Sequence, residues 1–238
     1  EFIGNVEPST RSVSTALNAN LASLFTGGAP TLTSAEIKEV NDAYAKMTSI
    51  NCYRNIDEAV RNKTSYAGTI FLDDTYASAY FRKGSLAFPP YGILASSMEH
   101  EFIHMYQRDV QGKKVDTDKE KRDTGMMEFE LAFYQGIIRY IHAGDSWTFK
   151  GEDGDPSYQS LWTSGLTDPS LIPQYEREFQ TYVASICANG KPTSIDINEF
   201  VKWSNIFGEY SRGYSGKGYK FGNYDYGTSC INSLLKLY

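Results

Sequence analysis

Two histidines and a glutamate in the segment EHEFIHMYQ, residues 99–107, have the spacing of a metal site. His100 and His104 are four residues apart, so on a helix their side chains lie on one face about 6 Å apart and can reach one tetrahedral ion. Glu101 follows the first histidine and can accept a proton from a water molecule that such an ion activates. The chain contains only three histidines, and this pattern predicts zinc ligands at His100 and His104 with Glu101 as the catalytic base.

Chance placement would also produce the histidine pair, and so would two histidines that are buried and hydrogen-bonded in the core. Helical phase argues against the core pair. At about 100° per residue, four apolar residues fall within one arc of roughly 80°, and His100, Glu101 and His104 lie outside that arc. The four residues are Leu94, Met98, Phe102 and Met105. The phase therefore predicts a helix with a core face and a separate ligand face.

A zinc site of this kind needs a third protein ligand. His142 lies far along a second predicted helix, and we expect it at the helix end or on the surface. The metzincin pattern has a Gly and a His three and six residues after the second motif histidine, where this chain has Gln107 and Val110. The sequence therefore excludes the metzincin class and favours a carboxylate from another helix.

Two glutamates in the apolar segment MEFELAFYQ, Glu128 and Glu130, are the candidates for that carboxylate. An unpartnered carboxylate in such a helix is costly, so each acid needs a cation, a donor or a metal. The face of Glu128 carries small and polar residues, Ala132, Gln135 and Arg139, whereas the face of Glu130 carries Phe133, Tyr134 and Ile137. We favour Glu128 as the ligand and keep Glu130 as the alternative, because Glu130 could instead hydrogen-bond to a ligand histidine.

Helical periodicity and turn residues predict the elements that position these side chains. An amphipathic helix with Val13, Leu17, Leu21 and Leu24 on one face is followed by a second helix over 35–47, with Ser34 as its N-cap. Further helical segments are predicted at 55–62, 92–110, 125–143, 173–188 and 197–207, and a charged loop over 113–123. Residues 208–227 are rich in glycine and tyrosine, and their aromatic rings either line a cleft or pack a loop-rich lobe.

A small sheet is predicted ahead of the histidine-bearing helix. Residues 69–74 and 76–81 are short, aromatic and β-branched segments joined through Asp73-Asp74, so we expect two or three strands linked by a turn at that point. Phe88-Pro89-Pro90 ends the region.

The motif His100-Glu101-Phe102-Ile103-His104, followed by Glu128, resembles the gluzincin branch of the zincin metallopeptidases. The resemblance covers roughly residues 65–143. It implies that the glutamate-bearing helix packs against the histidine-bearing helix, and that an edge strand near 77–82 binds a peptide in extended form. The Ala or Ser and the Asp that often stand three and four residues after the ligand glutamate are here Leu131 and Ala132.

The fold class expected from the pattern and the resemblance is α+β: a mainly helical, zincin-like domain with a small sheet packed by the two ligand-bearing helices. We expect one domain over 1–238, in which 65–143 form the metallopeptidase core and 144–238 a C-terminal lobe of helices and Tyr/Gly-rich loops. The expected activity is that of a zinc-dependent hydrolase, a metallopeptidase that acts on peptide or protein substrates. The alternative is a noncatalytic peptide- or glycan-binding protein with a structural or vestigial metal.

Composition narrows the partners. A formal net charge of −6 and a pI near 5.2 disfavour nucleic acid and anionic membrane surfaces, because both are recognised through basic surfaces. No apolar run is long enough to span a bilayer. Three widely spaced cysteines exclude a cysteine-type zinc site. The chain opens with Glu1-Phe2, which suggests a removed leader, and we expect an extracytoplasmic location, whether secreted, periplasmic or surface-attached.

Overall fold

A computed structural model describes residues 16–113, 121–143, 166–187, 191–222 and 228–237. These ranges contain a mainly helical α+β fold with one three-stranded sheet, which confirms the predicted fold class at that level. The helices are α1 (Ala19–Leu24), α2 (Ser34–Ser49), α3 (Asn51–Lys63), α4 (Ala95–Met105), α5 (Lys121–Ala143), α6 (Ile172–Ile186), α7 (Ile197–Tyr210) and α8 (Thr228–Leu235). The strands are β1 (Ile70–Leu72), β2 (Tyr80–Arg82) and β3 (Ser85–Phe88).

The early helices differ from the predicted ones at their ends. The N-cap of α2 is Thr33 and not Ser34, because Thr33 and Glu36 form a capping box in which each side chain accepts from the other residue's backbone N–H. The segment predicted at 55–62 is longer, since α3 begins at Asn51 and buries a complete apolar face. Val13 lies outside the described residues, and the sequence pattern does not predict α8.

The sheet does not contain the predicted hairpin across Asp73-Asp74. The strand order is β1-β3-β2, with β1 parallel and β2 antiparallel to β3, so the first two strands do not pair. The tight turn lies instead between β2 and β3, at Lys83 and Gly84, whose φ angles are 51° and 77°. Two positive φ values define the type I′ turn that joins twisted antiparallel strands, and glycine adopts such values without steric cost. The sheet therefore leaves β2 at one edge.

The predicted helix over 92–110 is divided. Regular α-helix ends at Met105, and Tyr106–Val110 form a π-helical turn, a feature that is often found at functional sites. Met98, Phe102 and Met105 are fully buried, as their phase predicts, and Phe102 packs on Tyr44 of α2. The prediction is wrong for Leu94, because this residue lies at the N-cap position and is 45% exposed.

The core is continuous from Leu21 in α1 to Leu235 in α8. In the C-terminal half, α5 packs on α6, α7 and α8 through aromatic side chains. The segment after α7 folds back so closely that a Cβ on Gly208 would lie 2.1 Å from the ring of Phe221. Part of the Tyr/Gly-rich region thus packs against α7, and Gly208 makes room for it. No described helix has the length and apolar character to cross a membrane.

Candidate metal centre

Three potential ligand side chains converge where α4 faces α5. His104 Nε2 lies 3.1 Å from His100 Nε2 and 3.3 Å from Glu128 Oε1, and His100 Nε2 lies 3.7 Å from Glu128 Oε2. Tetrahedral zinc with bonds of about 2.0–2.1 Å holds its ligand atoms about 3.3–3.4 Å apart. The three atoms therefore already have the mutual spacing of a tetrahedral zinc site. Among the described residues this is the one such group of three or more metal-binding side chains.

The environment moves the pKa values of the two histidines in opposite directions. Removal from water and the neighbouring His104 lower the pKa of His100 to about 4, so this imidazole is neutral and can donate its lone pair. Burial also acts to lower the pKa of His104, but the adjacent carboxylate of Glu128 outweighs it and raises the value to about 9. Despite burial, the pKa of Glu128 is lowered to about 2 by His104. In the absence of metal, His104 and Glu128 thus form an ion pair.

Gln107 determines how the ring of His104 is held. Its Nε2 donates to the backbone carbonyl of Met127 at 2.9 Å and to Glu130 Oε2 at 2.6 Å, and its Oε1 lies 2.8 Å from His104 Nδ1. A backbone carbonyl can only accept, so the amide cannot be flipped, and Oε1 must accept a hydrogen bond from Nδ1–H. The Nε2 atom of His104 is therefore directed at Glu128 and is the atom available to a metal.

The alternative ligand, Glu130, lies on the side of the network away from the histidines. It is fully buried and is linked to His104 only through Gln107. The group of converging ligand atoms contains Glu128 and not Glu130. The direct hydrogen bond between a ligand histidine and Glu130 that the sequence leaves open is replaced by this amide relay. His142 lies near the end of α5, as expected, and its side chain is outside the described residues.

Glu101, the predicted base, faces the same cavity and is 5% exposed. Burial raises the pKa of its carboxyl to about 7. It accepts a hydrogen bond from the backbone N–H of Phe81. Since Arg82 and Ser85 close the β2–β3 turn, the alternation of an antiparallel pair directs the Phe81 N–H away from β3, towards the free edge of the sheet. The edge strand thus contributes a main-chain donor to the site.

Tyr214 completes the surroundings of Glu128. Its hydroxyl donates to Glu128 Oε2 at 2.6 Å, and burial raises the pKa of the phenol, so it remains a donor. Its ring packs on Phe207 of α7. The sequence does not single out this tyrosine, because the chain contains eighteen and Tyr214 lies 86 residues from its partner. Sequence reasoning also misses Gln107; its position one turn after His104, on a helix with a buried face, is the available signal.

The site opens into a cavity of about 620 Å³. One wall is the chain from Ser78 to Phe81, which includes the start of β2, and the floor carries the three candidate ligands and Glu101. The segment 77–82 that we expected to be an edge strand is therefore at the sheet edge, although only Tyr80–Arg82 have strand geometry. Binding of an extended peptide along it stays a prediction.

Comparison with known proteins adds no relative. No protein-family model, curated protein or solved structure matches the chain. The gluzincin resemblance over residues 65–143 therefore stays a prediction that depends on the motif alone.

Proposed function

We propose that this protein is a zinc-dependent hydrolase, and more specifically a metallopeptidase. His100, His104 and Glu128 would hold the ion through two imidazole nitrogens and one carboxylate oxygen. The observation that carries the proposal is the mutual spacing of 3.1, 3.3 and 3.7 Å among these atoms, next to a buried glutamate in an open cavity. A noncatalytic core histidine pair needs neither the third ligand nor the cavity.

Zinc bound there would polarise a substrate carbonyl and activate a water molecule. Glu101 is suited to take the proton from that water, because a base acts best when its pKa lies near the working pH, and burial brings the pKa of this carboxyl to about 7. The Phe81 amide orients the carboxylate of Glu101. Gln107 and Tyr214 hold His104 and Glu128 in their binding orientations.

A peptide is favoured over other carbonyl compounds by the position of β2. An edge strand presents unpaired backbone groups that can pair with an extended chain, and this strand forms a wall of the cavity beside Glu101. The cavity is large enough for several side chains of a substrate. The resemblance to gluzincins implies the same arrangement.

Metal content and one substitution test the proposal. Protein purified without chelator should contain about one zinc per chain. Glu101→Gln should keep the zinc and lose turnover of a broad peptide library, whereas Glu39→Gln, at an exposed position on α2, should keep both. Wild-type protein that holds zinc but cleaves no peptide would favour the noncatalytic binding protein instead.

The third ligand is tested by a matched pair of variants on α5. Glu128→Gln removes a ligand charge and should lower zinc affinity by several orders of magnitude. Glu130→Gln changes a residue two positions away that contacts Gln107, and it should lower the affinity only about 10- to 100-fold, the usual effect of an outer hydrogen-bond partner. The reverse order of affinities would assign the ligand role to Glu130. A preparation of wild-type protein that takes up no zinc would refute the site.

A further inference from the structure

Arg108 is the one permanently charged cation among the side chains that line the cavity in the described part of the chain. It follows His104 by four residues, as His104 follows His100, so the three side chains descend one side of the α4 helix and its π-helical extension. One helical turn rises about 5.4 Å, which places Arg108 about one turn from the ligand histidines.

The guanidinium of Arg108 is held in a fixed position. It lies over the ring of Phe81, 4.3 Å from the ring centroid, and Tyr66 flanks it at 5.4 Å. Asp109 accepts from its Nε and Nη2 atoms, and Asp109 is itself held by the hydroxyl of Tyr66. A guanidinium has five N–H donors, so the Nη1 edge has no acceptor among the described residues. Its orientation is thus set before any ligand binds.

The rest of the lining makes this cation distinctive. Near the ligand histidines the charged residues are acids, Glu101 and Glu128, which repel an anionic group. Towards the start of α4 the lining is neutral, with Ser96 and Ser97. The hydroxyl of Thr124 also faces the cavity region, and it is buried without a hydrogen-bond partner among the described residues. An anion entering the cavity therefore finds its donors at Arg108, with the hydroxyl of Thr124 in the same lining.

We infer that Arg108 forms a subsite for a carboxylate of the substrate, so that the enzyme prefers peptides with a carboxylate within about two residues of the cleaved bond. The inference depends on the proposed peptidase function for its position, since an extended chain advances about 3.3 Å per residue and two residues cover the distance from the metal ligands to Arg108. Two sources offer the same group: the C-terminal carboxylate of a peptide, and the side chain of Asp or Glu.

Matched peptides test the subsite. For each sequence that the zinc-loaded chain cleaves, kcat/KM is measured for the free acid and the C-terminal amide, and for Glu against Gln at each position within two residues of the cleaved bond. Wild-type protein should favour one carboxylate form by roughly 10- to 100-fold, as expected for a hydrogen bond to a charged group. Which pair shows the preference distinguishes the terminal from the side-chain source.

The variants are Arg108→Gln, Arg108→Lys and, as a control, Arg54→Gln at an exposed position on α3. Arg108→Gln should abolish the preference, Arg108→Lys should keep part of it, and Arg54→Gln should keep all of it. A ratio of two substrates does not change when a variant merely lowers the fraction of folded enzyme, so a structural role alone would leave it intact. Absence of any carboxylate preference in the wild type, or an unchanged preference in Arg108→Gln, would overturn the inference.

The proposed function can fail separately. If no peptide is cleaved, the same acid and amide pairs, labelled with a fluorophore, are titrated with the zinc-loaded chain and followed by fluorescence anisotropy. Tighter binding of the carboxylate forms that disappears in Arg108→Gln would support the subsite without catalysis. Equal binding of both forms would refute it.

Discussion

Substitution of Glu101 by Gln should stabilise the metal-free protein at alkaline pH. Burial raises the pKa of this carboxyl from 4.5 to about 7, so the folded state retains a proton that the unfolded chain has already released. Between these two pH values the folded state binds more protons than the unfolded state, and the free energy of unfolding therefore falls as the pH rises. A glutamine side chain at this position cannot ionise, but its amide oxygen can still accept from the Phe81 N–H.

The size of the effect follows from the pKa shift. Each pKa unit corresponds to 1.36 kcal/mol, so a rise from 4.5 to about 7 amounts to roughly 3 kcal/mol once the carboxyl is ionised in both states. Below about pH 4.5 the difference between wild type and variant should lack this contribution. It should develop through pH 7 and be complete by about pH 8. A catalytic residue would then lower stability in return for a base with a suitable pKa.

Urea unfolding of chelator-treated wild type, Glu101→Gln and Glu39→Gln at pH 5, 6, 7 and 8 measures this difference directly. Subtracting the wild-type curve from that of Glu101→Gln removes the pH dependence that both share, and the Glu39→Gln curve should follow wild type because that side chain is exposed. If the gap between Glu101→Gln and wild type is the same at pH 5 and pH 8, the carboxyl ionises as readily in the folded protein as in the unfolded chain, and burial does not tune Glu101 as a base.

Three further predictions concern the ligands. Gln107→Leu should weaken zinc binding about 10- to 100-fold, because nothing then fixes the ring of His104; equal affinities in a competition titration would contradict this. Zinc must displace the proton of His104, whose pKa is about 9, so apparent zinc affinity should rise about tenfold per pH unit from pH 7 to about 9 and then level off, and calorimetry in buffers of different ionisation enthalpy should detect one released proton. Tyr214→Phe keeps the aromatic packing but removes the donor to Glu128, and it should weaken zinc binding by about tenfold or more with little change in unfolding free energy; a large loss of stability with unchanged affinity would mean that the hydroxyl is structural.

The local part of the site was predictable because a helix converts spacing into geometry. His100 and His104 lie on one face, and Met98, Phe102 and Met105 are buried on another, as the period required. The choice between Glu128 and Glu130 could be argued only from the character of their helix faces. Their different roles depend on how α5 is rotated against α4, and a sequence pattern does not specify that rotation.

The non-local features escaped the sequence for a physical reason. Asp73 does make a turn, since its side chain accepts from the Thr75 backbone, but a local turn does not determine which strands pair. Lys83-Gly84 lies at the hairpin instead, and it lacks the Asn-Gly or Asp-Gly signature that marks most type I′ turns. The contact from Tyr214 to Glu128 depends on the return of the chain after α7, which no local periodicity encodes.

Phe81 gives two contacts that chemistry can separate. Its amide donates to Glu101, and its ring supports Arg108. A main-chain donor persists whatever side chain stands at that position, with proline as the exception, so exchanging the ring for another shape would alter ligand preference while the proton-accepting carboxylate keeps its partner. Position 81 is therefore a place where selectivity can be redesigned independently of turnover.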